Sequence, residues 1–291
     1  MTLLIMAVVT GVALGSIYGL IALGFQITYS VSGTVNFAQG SVVMLGAVSG
    51  YMLYQSAGDY HWIAYPLAVV LCGVFGAIVE RFLVRPFALR GNEGWLMATV
   101  AGGILLDNTA LFTFGNEPRT FPSPLVNDTI LVVGVGLYPL QVVIPVVTLV
   151  MALGLHALFR YTKHGIALLA VVQNRRAAAL MGINTQWMIT ASFVISGMLA
   201  GLAGLLIAPL ASVHSEMGML FGLKAFAVAI LGGMTSASGI MIAGLIYGIV
   251  EALTTTYFGS SFTAIAVFGS VILILMIKPN GLFGQPSIHK V

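Results

Sequence analysis

Asp107, Lys224 and Glu251 are the side chains best placed to do chemistry, because each carries its charge into an otherwise apolar run. An ionised group of this kind costs at least ~2.5 kcal/mol when it faces lipid at the middle of a bilayer. Asp107 and Glu251 must therefore turn to a cavity, the bundle interior or a partner, or be protonated. That allows handling of a proton or cation, contact with a solute in transit, or a hydrogen bond across helices, to Lys224 or to Ser and Thr neighbours, with backbone or threonines the partners expected for Glu251. Asn108 adds an amide beside Asp107. A second polar group lies in Ser32-Gly33-Thr34-Val35-Asn36-Phe37-Ala38-Gln39-Gly40, where two amides and two glycines interrupt the apolar pattern. This spacing predicts either a broken helix, whose freed backbone groups line a site, or a plain turn. The candidate pathway residues are thus Asn36, Phe37, Gln39, Asp107, Asn108, Lys224 and Glu251.

Enzyme chemistry has no comparable set, and no catalytic residue and no metal site is expected. The sequence holds no Gly-Lys-Ser/Thr phosphate loop, no His-Glu-x-x-His pair and no Gly-x-Ser-x-Gly elbow. His61, His156, His164, His214 and His289 are scattered at expected helix ends. Cys72 is the single cysteine, so no disulfide framework exists.

The elements that hold these residues follow from composition. Of 291 residues, 59% are apolar and 7% are charged, against roughly 25% charged in a soluble domain. Mean hydropathy is +1.06. A soluble enzyme, a disordered chain and a nucleic-acid binder are excluded, and an all-α polytopic membrane protein embedded in a lipid bilayer remains. The first apolar run is too long for a cleaved leader and lacks preceding Lys or Arg, so it is expected to be a spanning helix. At about 20 residues per crossing, nine candidates stand out: about 3–29, 36–54, 62–84, 95–115, 137–160, 187–209, 221–235, 239–257 and 262–277. The seventh is short and ends in Gly232-Gly233, so it is either a short span or a re-entrant segment, giving eight or nine crossings.

With nine crossings, Arg81, Arg85, Arg90, Arg160, Lys163, Arg175, Arg176, Lys278 and Lys290 fall on one side, and Arg119 and Lys224 on the other. That bias predicts an external N-terminus and a cytoplasmic C-terminus. Gly11, Gly15 and Gly19, Gly197 and Gly201, and Gly244 and Gly248 recur four residues apart, the spacing that lets membrane helices approach closely.

Two loops stand out. The external stretch 116–136 holds three prolines and reads as a stiff exposed loop, either a connector or a docking surface. The internal stretch 164–186 contains Gln173-Asn174-Arg175-Arg176-Ala177-Ala178-Ala179-Leu180-Met181-Gly182-Ile183. Its composition predicts a short helix over about 170–183 ending at Gly182. Val172, Ala179, Leu180 and Ile183 fall on one side, while Gln173, Asn174 and Arg176 lean away. The helix lies either on anionic lipid or against a cytoplasmic partner.

The runs Gly15-Ser16-Ile17-Tyr18-Gly19-Leu20-Ile21-Ala22-Leu23-Gly24, Asn36-Phe37-Ala38-Gln39-Gly40 and Met44-Leu45-Gly46 resemble the branched-chain amino acid ABC transporter permeases. The resemblance continues in order through Glu80-Arg81, Arg85-Pro86, Gly182-Ile183-Asn184, Gly222-Leu223-Lys224-Ala225-Phe226, Leu231-Gly232-Gly233 and Pro279-Asn280-Gly281-Leu282-Phe283-Gly284. Length and the lack of an extra domain fit the smaller of the two permease types. The resemblance implies a single permease domain over 1–291 with the bundle of an importer of the second structural type, in a bacterial inner membrane. It implies a second permease, two cytoplasmic ATPases that bind the ATP and Mg, and a periplasmic binding protein, with no cofactor in this chain. It also implies that Gln173, Asn174, Arg175, Arg176, Ala177, Leu180, Gly182 and Ile183 contact an ATPase. The chain departs from the family at Asn174, where an acidic residue is usual, and at Asp107, where an amide is common. The expected cargo is a branched-chain or related hydrophobic amino acid. Urea, short amides and aromatic acids are alternatives, and a carrier acting alone with Asp107 and Glu251 as ion sites is the rival from another class.

Overall fold

The computed structural model describes residues 2–132 and 135–284. Lys290 and His289 lie outside them. The chain is a helical bundle with one small hairpin. Its helices are α1 (Thr2–Ser32), α2 (Gln39–Ser56), α3 (Trp62–Ala88), α4 (Trp95–Phe114), α5 (Pro139–Tyr161), α6 (Lys163–Gln173), α7 (Arg175–Leu180), α8 (Thr185–Ile207), α9 (Met217–Gly232), α10 (Ala237–Phe258) and α11 (Ser260–Ile277). Seven of these, α1, α3, α4, α5, α8, α10 and α11, are each long and apolar enough to cross a membrane. The remaining two expected spans, α2 and α9, have 18 and 16 residues and pack within the bundle.

The glycine stripes are where the bundle closes. Gly15 lies against the backbone of Gly244, and Gly11 against that of Gly248, so α1 and α10 meet with no side chain between them. Gly201 sits under Gly46 and Cys72, which seats α8 between α2 and α3. Such contact lets dispersion and weak backbone contacts act where lipid removes the hydrophobic drive. The core around these seams holds Ile17, Leu20, Ile21, Met44, Leu199 and Ile240, all fully buried.

α2 and α9 begin inside the bundle. Gly33, at φ +73°, ends α1, and the Asn36 side chain accepts from the Ala38 amide at 3.1 Å to turn the chain back. α2 therefore starts at Gln39, three residues later than the expected 36, beside Gly24, about two turns before the end of α1. The first turn of α9 lies against the same place, with Gly218 and Gly222 on Gly40. The expected start of the seventh span at 221 moves to Met217, and Gly233, at φ +86°, stops it where the glycine pair predicted.

α3 is not a uniform helix. It widens to a π-helix over Val79–Val84 before a last α-turn, Arg85–Ala88. Pro86 lies just beyond. Its ring crowds the carbonyl four residues back and it lacks an N–H, so the ladder must open there. The buried Glu80 fills the widened turn and accepts from Arg85 Nε at 2.9 Å and Nη2 at 2.7 Å, and from the Thr190 hydroxyl at 2.9 Å.

The external stretch departs from an open loop. Strands Ile130–Val132 and Val135–Leu137 pair antiparallel. Phe121, 2% exposed, anchors the loop among Tyr51, Tyr54 and Tyr65. The Arg119 backbone bridges Val213, and its guanidinium lies over Phe114. The fifth span accordingly starts at Pro139, after the hairpin, and not at 137.

Candidate translocation site and coupling segment

The seven pathway candidates resolve into separate places. Asn36 and Gln39 are 2% and 0% exposed and hold the break together from behind. Gln39 Nε2 donates to the Ser196 carbonyl at 3.2 Å, while its Oε1 accepts from the Ser196 hydroxyl at 3.0 Å and from Asn36 Nδ2 at 3.3 Å. Such a satisfied buried network fixes a single geometry. It ties the start of α2 to the middle of α8. Neither amide lines a cavity among those found in the described residues, so their role is to shape the break.

Phe37 and Asp107 do meet in a cavity. It has a volume of about 230 Å³ and lies between α1, α2, α4 and α9. Phe25, Phe37 and Phe226 form its aromatic side, with ring centroids 5.6 and 5.3 Å apart on either side of Phe226. Gly40 and Ser41, in the first turn of α2, line it as well. Oδ1 of Asp107 is shielded from solvent and has no partner among the described residues. Ser41 lines the cavity together with that carboxyl, and Glu216 is near enough for its charge to act on it. Asn108 is not in this cavity. It points outward and donates to its own helix at the Ile104 carbonyl, 2.8 Å away.

Lys224 and Glu251 form a second, separate cluster. Lys224 Nζ donates to Glu251 Oε1 at 2.5 Å and to the Tyr18 hydroxyl at 3.4 Å. The ammonium also lies over the Tyr18 ring, 5.6 Å from its centroid. Tyr247 packs edge-on to Tyr18, with centroids 5.5 Å apart. The cluster joins α1, α9 and α10. Lys224 and Glu251 thus pair through one carboxylate oxygen, while Glu251 Oε2 and the Tyr247 hydroxyl are buried without a partner among the described residues.

The internal segment folds differently from the single helix expected over 170–183. Asn174 is extended, at φ −156° and ψ 101°, and ends α6. Its Oδ1 then accepts from the Arg176 and Ala177 amides at 3.1 and 3.0 Å, capping α7. The face that packs differs from the expected one both before and after this break. The buried face is Gly165, Leu168, Val171 and Ala178, not Val172, Ala179 and Leu180. Leu168, Val171 and Ala178 pack on Val31 of α1, Val79 and Val84 of α3, and Met188 and Ile189 of α8. Gly182, at φ +83°, closes α7 as expected, with its amide on the Ala179 carbonyl and that of Ile183 on the Ala178 carbonyl. Gln173, Arg175, Arg176 and Ala177 are exposed, and Ile183 is half-buried against the core of this face.

The apolar tip was not legible as such. Leu180 and Met181 are 88% and 82% exposed, side by side at the turn. Met181 was missed because the expected helix continued through it. Ser41, Phe25, Phe226 and Glu216 were missed because each belongs to a different element and no local motif marks them.

Comparison with known proteins gives one family. The model of the branched-chain amino acid transport system permease component matches residues 7–278. The high-affinity branched-chain amino acid transport system permease protein LivH of Escherichia coli K12 is 34% identical, covering 97% of this chain and 96% of the relative. BraD of Pseudomonas aeruginosa, a permease protein of the same description, is 30% identical over 97% of this chain and 96% of its own length. Among solved structures, PsaBC from Streptococcus pneumoniae in complex with Fab aligns with a TM-score of 0.52 at 14% identity, covering 94% of this chain and 91% of that one. That likeness supports the all-α bundle.

Proposed function

Because this chain belongs to the branched-chain amino acid transport permease family, we propose that it is the membrane-spanning subunit of an ATP-driven importer carrying branched-chain or related hydrophobic amino acids inward. It is a transporter subunit and not an enzyme. Its partners in this reading are a second permease, two cytoplasmic ATPases that hold the ATP and Mg, and a binding protein that delivers cargo in the periplasm. In this reading the N-terminus lies outside and the C-terminus in the cytoplasm of a bacterial inner membrane, which the bias of the basic residues supports.

The observation that carries the coupling role is the bare Leu180-Met181 tip beside Arg175 and Arg176. An exposed apolar pair rimmed by charge fits insertion into a cleft on a partner. Motion of the tip would reach α8 through Ala178, Met188 and Ile189. α8 in turn holds Gln39 through Ser196, at the start of α2. ATP binding and hydrolysis in the partners thereby move the break in the bundle. The test is Leu180→Asp with Met181→Asp in the reconstituted importer. Loss of uptake, with ATPase activity no longer stimulated by the loaded binding protein, is expected. Normal coupled uptake would remove the tip from the mechanism.

A further inference from the structure

We infer that the cavity at the start of α2 binds an amino acid in transit, with Asp107 holding its ammonium group and the three phenylalanines its branched side chain. This rests on the import reading above and goes further by naming a site within the bundle.

The argument starts from the unsatisfied carboxyl. Asp107 Oδ1 is buried without a partner among the described residues, and the residues lining the cavity include no base. A carboxylate in apolar surroundings is costly unless a cation or donors meet it. Lys224, the nearest candidate by sequence pattern, is committed to Glu251 and Tyr18. Glu216 adds a second negative charge near the same carboxyl and raises the demand for a cation. An ammonium group supplies that charge with three donors.

The opposite pole is supplied by α2. A helix of 18 residues starts here, and its N-terminus carries partial positive charge and first-turn amides. The amides of Gln39 and Val42 donate to the Asn36 and Ala38 carbonyls. Gly40 and Ser41, between them, line the cavity. Gly40 has no Cβ to cover its amide, and a Cβ there would strike the Gly218 backbone. This is the kind of terminus that takes a carboxylate. Between the two poles, Phe25, Phe37 and Phe226 with Met219 and Leu223 make a wholly apolar side. A cation site, a carboxylate site and an aromatic wall in one cavity match a zwitterion bearing an aliphatic chain. An uncharged sugar leaves Asp107 unpaired, and a carboxylate without an ammonium group meets Asp107 and Glu216 with like charge.

The test reads occupancy directly in the complete reconstituted importer, with its sister permease, ATPases and binding protein. Ile104→Cys places a thiol at the rim, since Ile104 lines the cavity and is 57% exposed, while the native Cys72 is buried. Leucine is expected to slow methanethiosulfonate labelling of that thiol by about tenfold or more, the usual scale for a buried charged contact. 4-Methylpentanoate, which lacks the ammonium group, should not slow it, and Asp107→Asn should abolish the leucine effect. Equal protection by 4-methylpentanoate, or protection that survives Asp107→Asn, would overturn the assignment, as would no protection by leucine at any concentration. The comparison of leucine with 4-methylpentanoate needs only the reporter variant, so it stands even where Asp107→Asn fails to assemble. Leucine uptake by the unmodified importer is measured alongside. If it is absent, the import reading fails; if it is present without protection, only this site fails.

Discussion

Lys224 and Glu251 show how two charges are kept within apolar helices. The pair buries Glu251 to 6% exposure and sets Lys224 over the Tyr18 ring. Removing one member of a buried pair leaves the other uncompensated, which typically costs 3–5 kcal/mol, whereas replacing both together costs far less. Lys224→Met and Glu251→Gln are therefore each expected to lower stability by about 3 kcal/mol, and the double variant to recover much of that loss. Thermal unfolding of the purified protein in detergent, run as a double-mutant cycle, measures it. Additive losses would mean that each residue acts alone. The pairing itself was readable only as one option, since Lys224, backbone and neighbouring threonines could each meet an acid in an apolar helix. The role of Tyr18 was not, because nothing in its local sequence distinguishes it from other aromatic residues of α1. Asn36 and Gln39 teach the reverse lesson. Their polarity marked the break correctly, but amides that break a helix also bond to its neighbours, and here they are sealed behind the cavity and not exposed within it.

Among the elements, periodic signals survived and phase-dependent ones did not. Glycines at every fourth position predicted close helix contact, and Gly15 on Gly244 with Gly11 on Gly248 realise it as one seam between α1 and α10. Here the glycines serve space and not turning: a Cβ on Gly15 would run into the Gly244 carbonyl. Gly15→Val should therefore cost at least about 3 kcal/mol, the upper range for overpacking in a filled interior. Gly154 in α5 has no atom within 4 Å of an added Cβ. Gly154→Ala is expected to be neutral or to gain about 0.5–1 kcal/mol from reduced backbone freedom. Denaturation midpoints of the two variants decide this, and equal losses would show that the seam has no special tightness. By contrast, the amphipathic reading of 170–183 chose the wrong face: Val172, before Asn174, and Ala179 and Leu180, beyond it, are all exposed. Val171 and Ala178, seven residues apart, share the face that packs, and the many apolar residues of this stretch did not single it out. The π-turn of α3 was equally hidden, although Pro86, the residue that forces it, was in plain view.

For the whole molecule, unequal burial assigns the outer faces. In their most apolar windows α5 and α11 are 11% buried, and α4 is 17% buried. α5 exposes Val146, Leu149, Val150 and Leu153, a purely aliphatic surface suited to lipid. α4 exposes Asn108 and Thr109 next to the cavity that holds Asp107. An amide in hydrocarbon is expensive even when one donor is bonded to its own helix, as in Asn108. On the import reading, the face of α4 is expected to lie against a partner or an aqueous path, and the face of α5 against lipid. Single cysteines test this against a low background, because Cys72 is buried. A bilayer-soluble maleimide should label Leu153→Cys equally in the isolated chain and in the assembled importer. Asn108→Cys should lose its labelling on assembly. Undiminished labelling of Asn108→Cys in the full complex would place α4 in lipid after all, and would then require Asp107 to reach its cargo from the membrane side. The expectation for α4 rests on Asn108 and Thr109, which are exposed on a helix that also exposes Leu105 and Phe112.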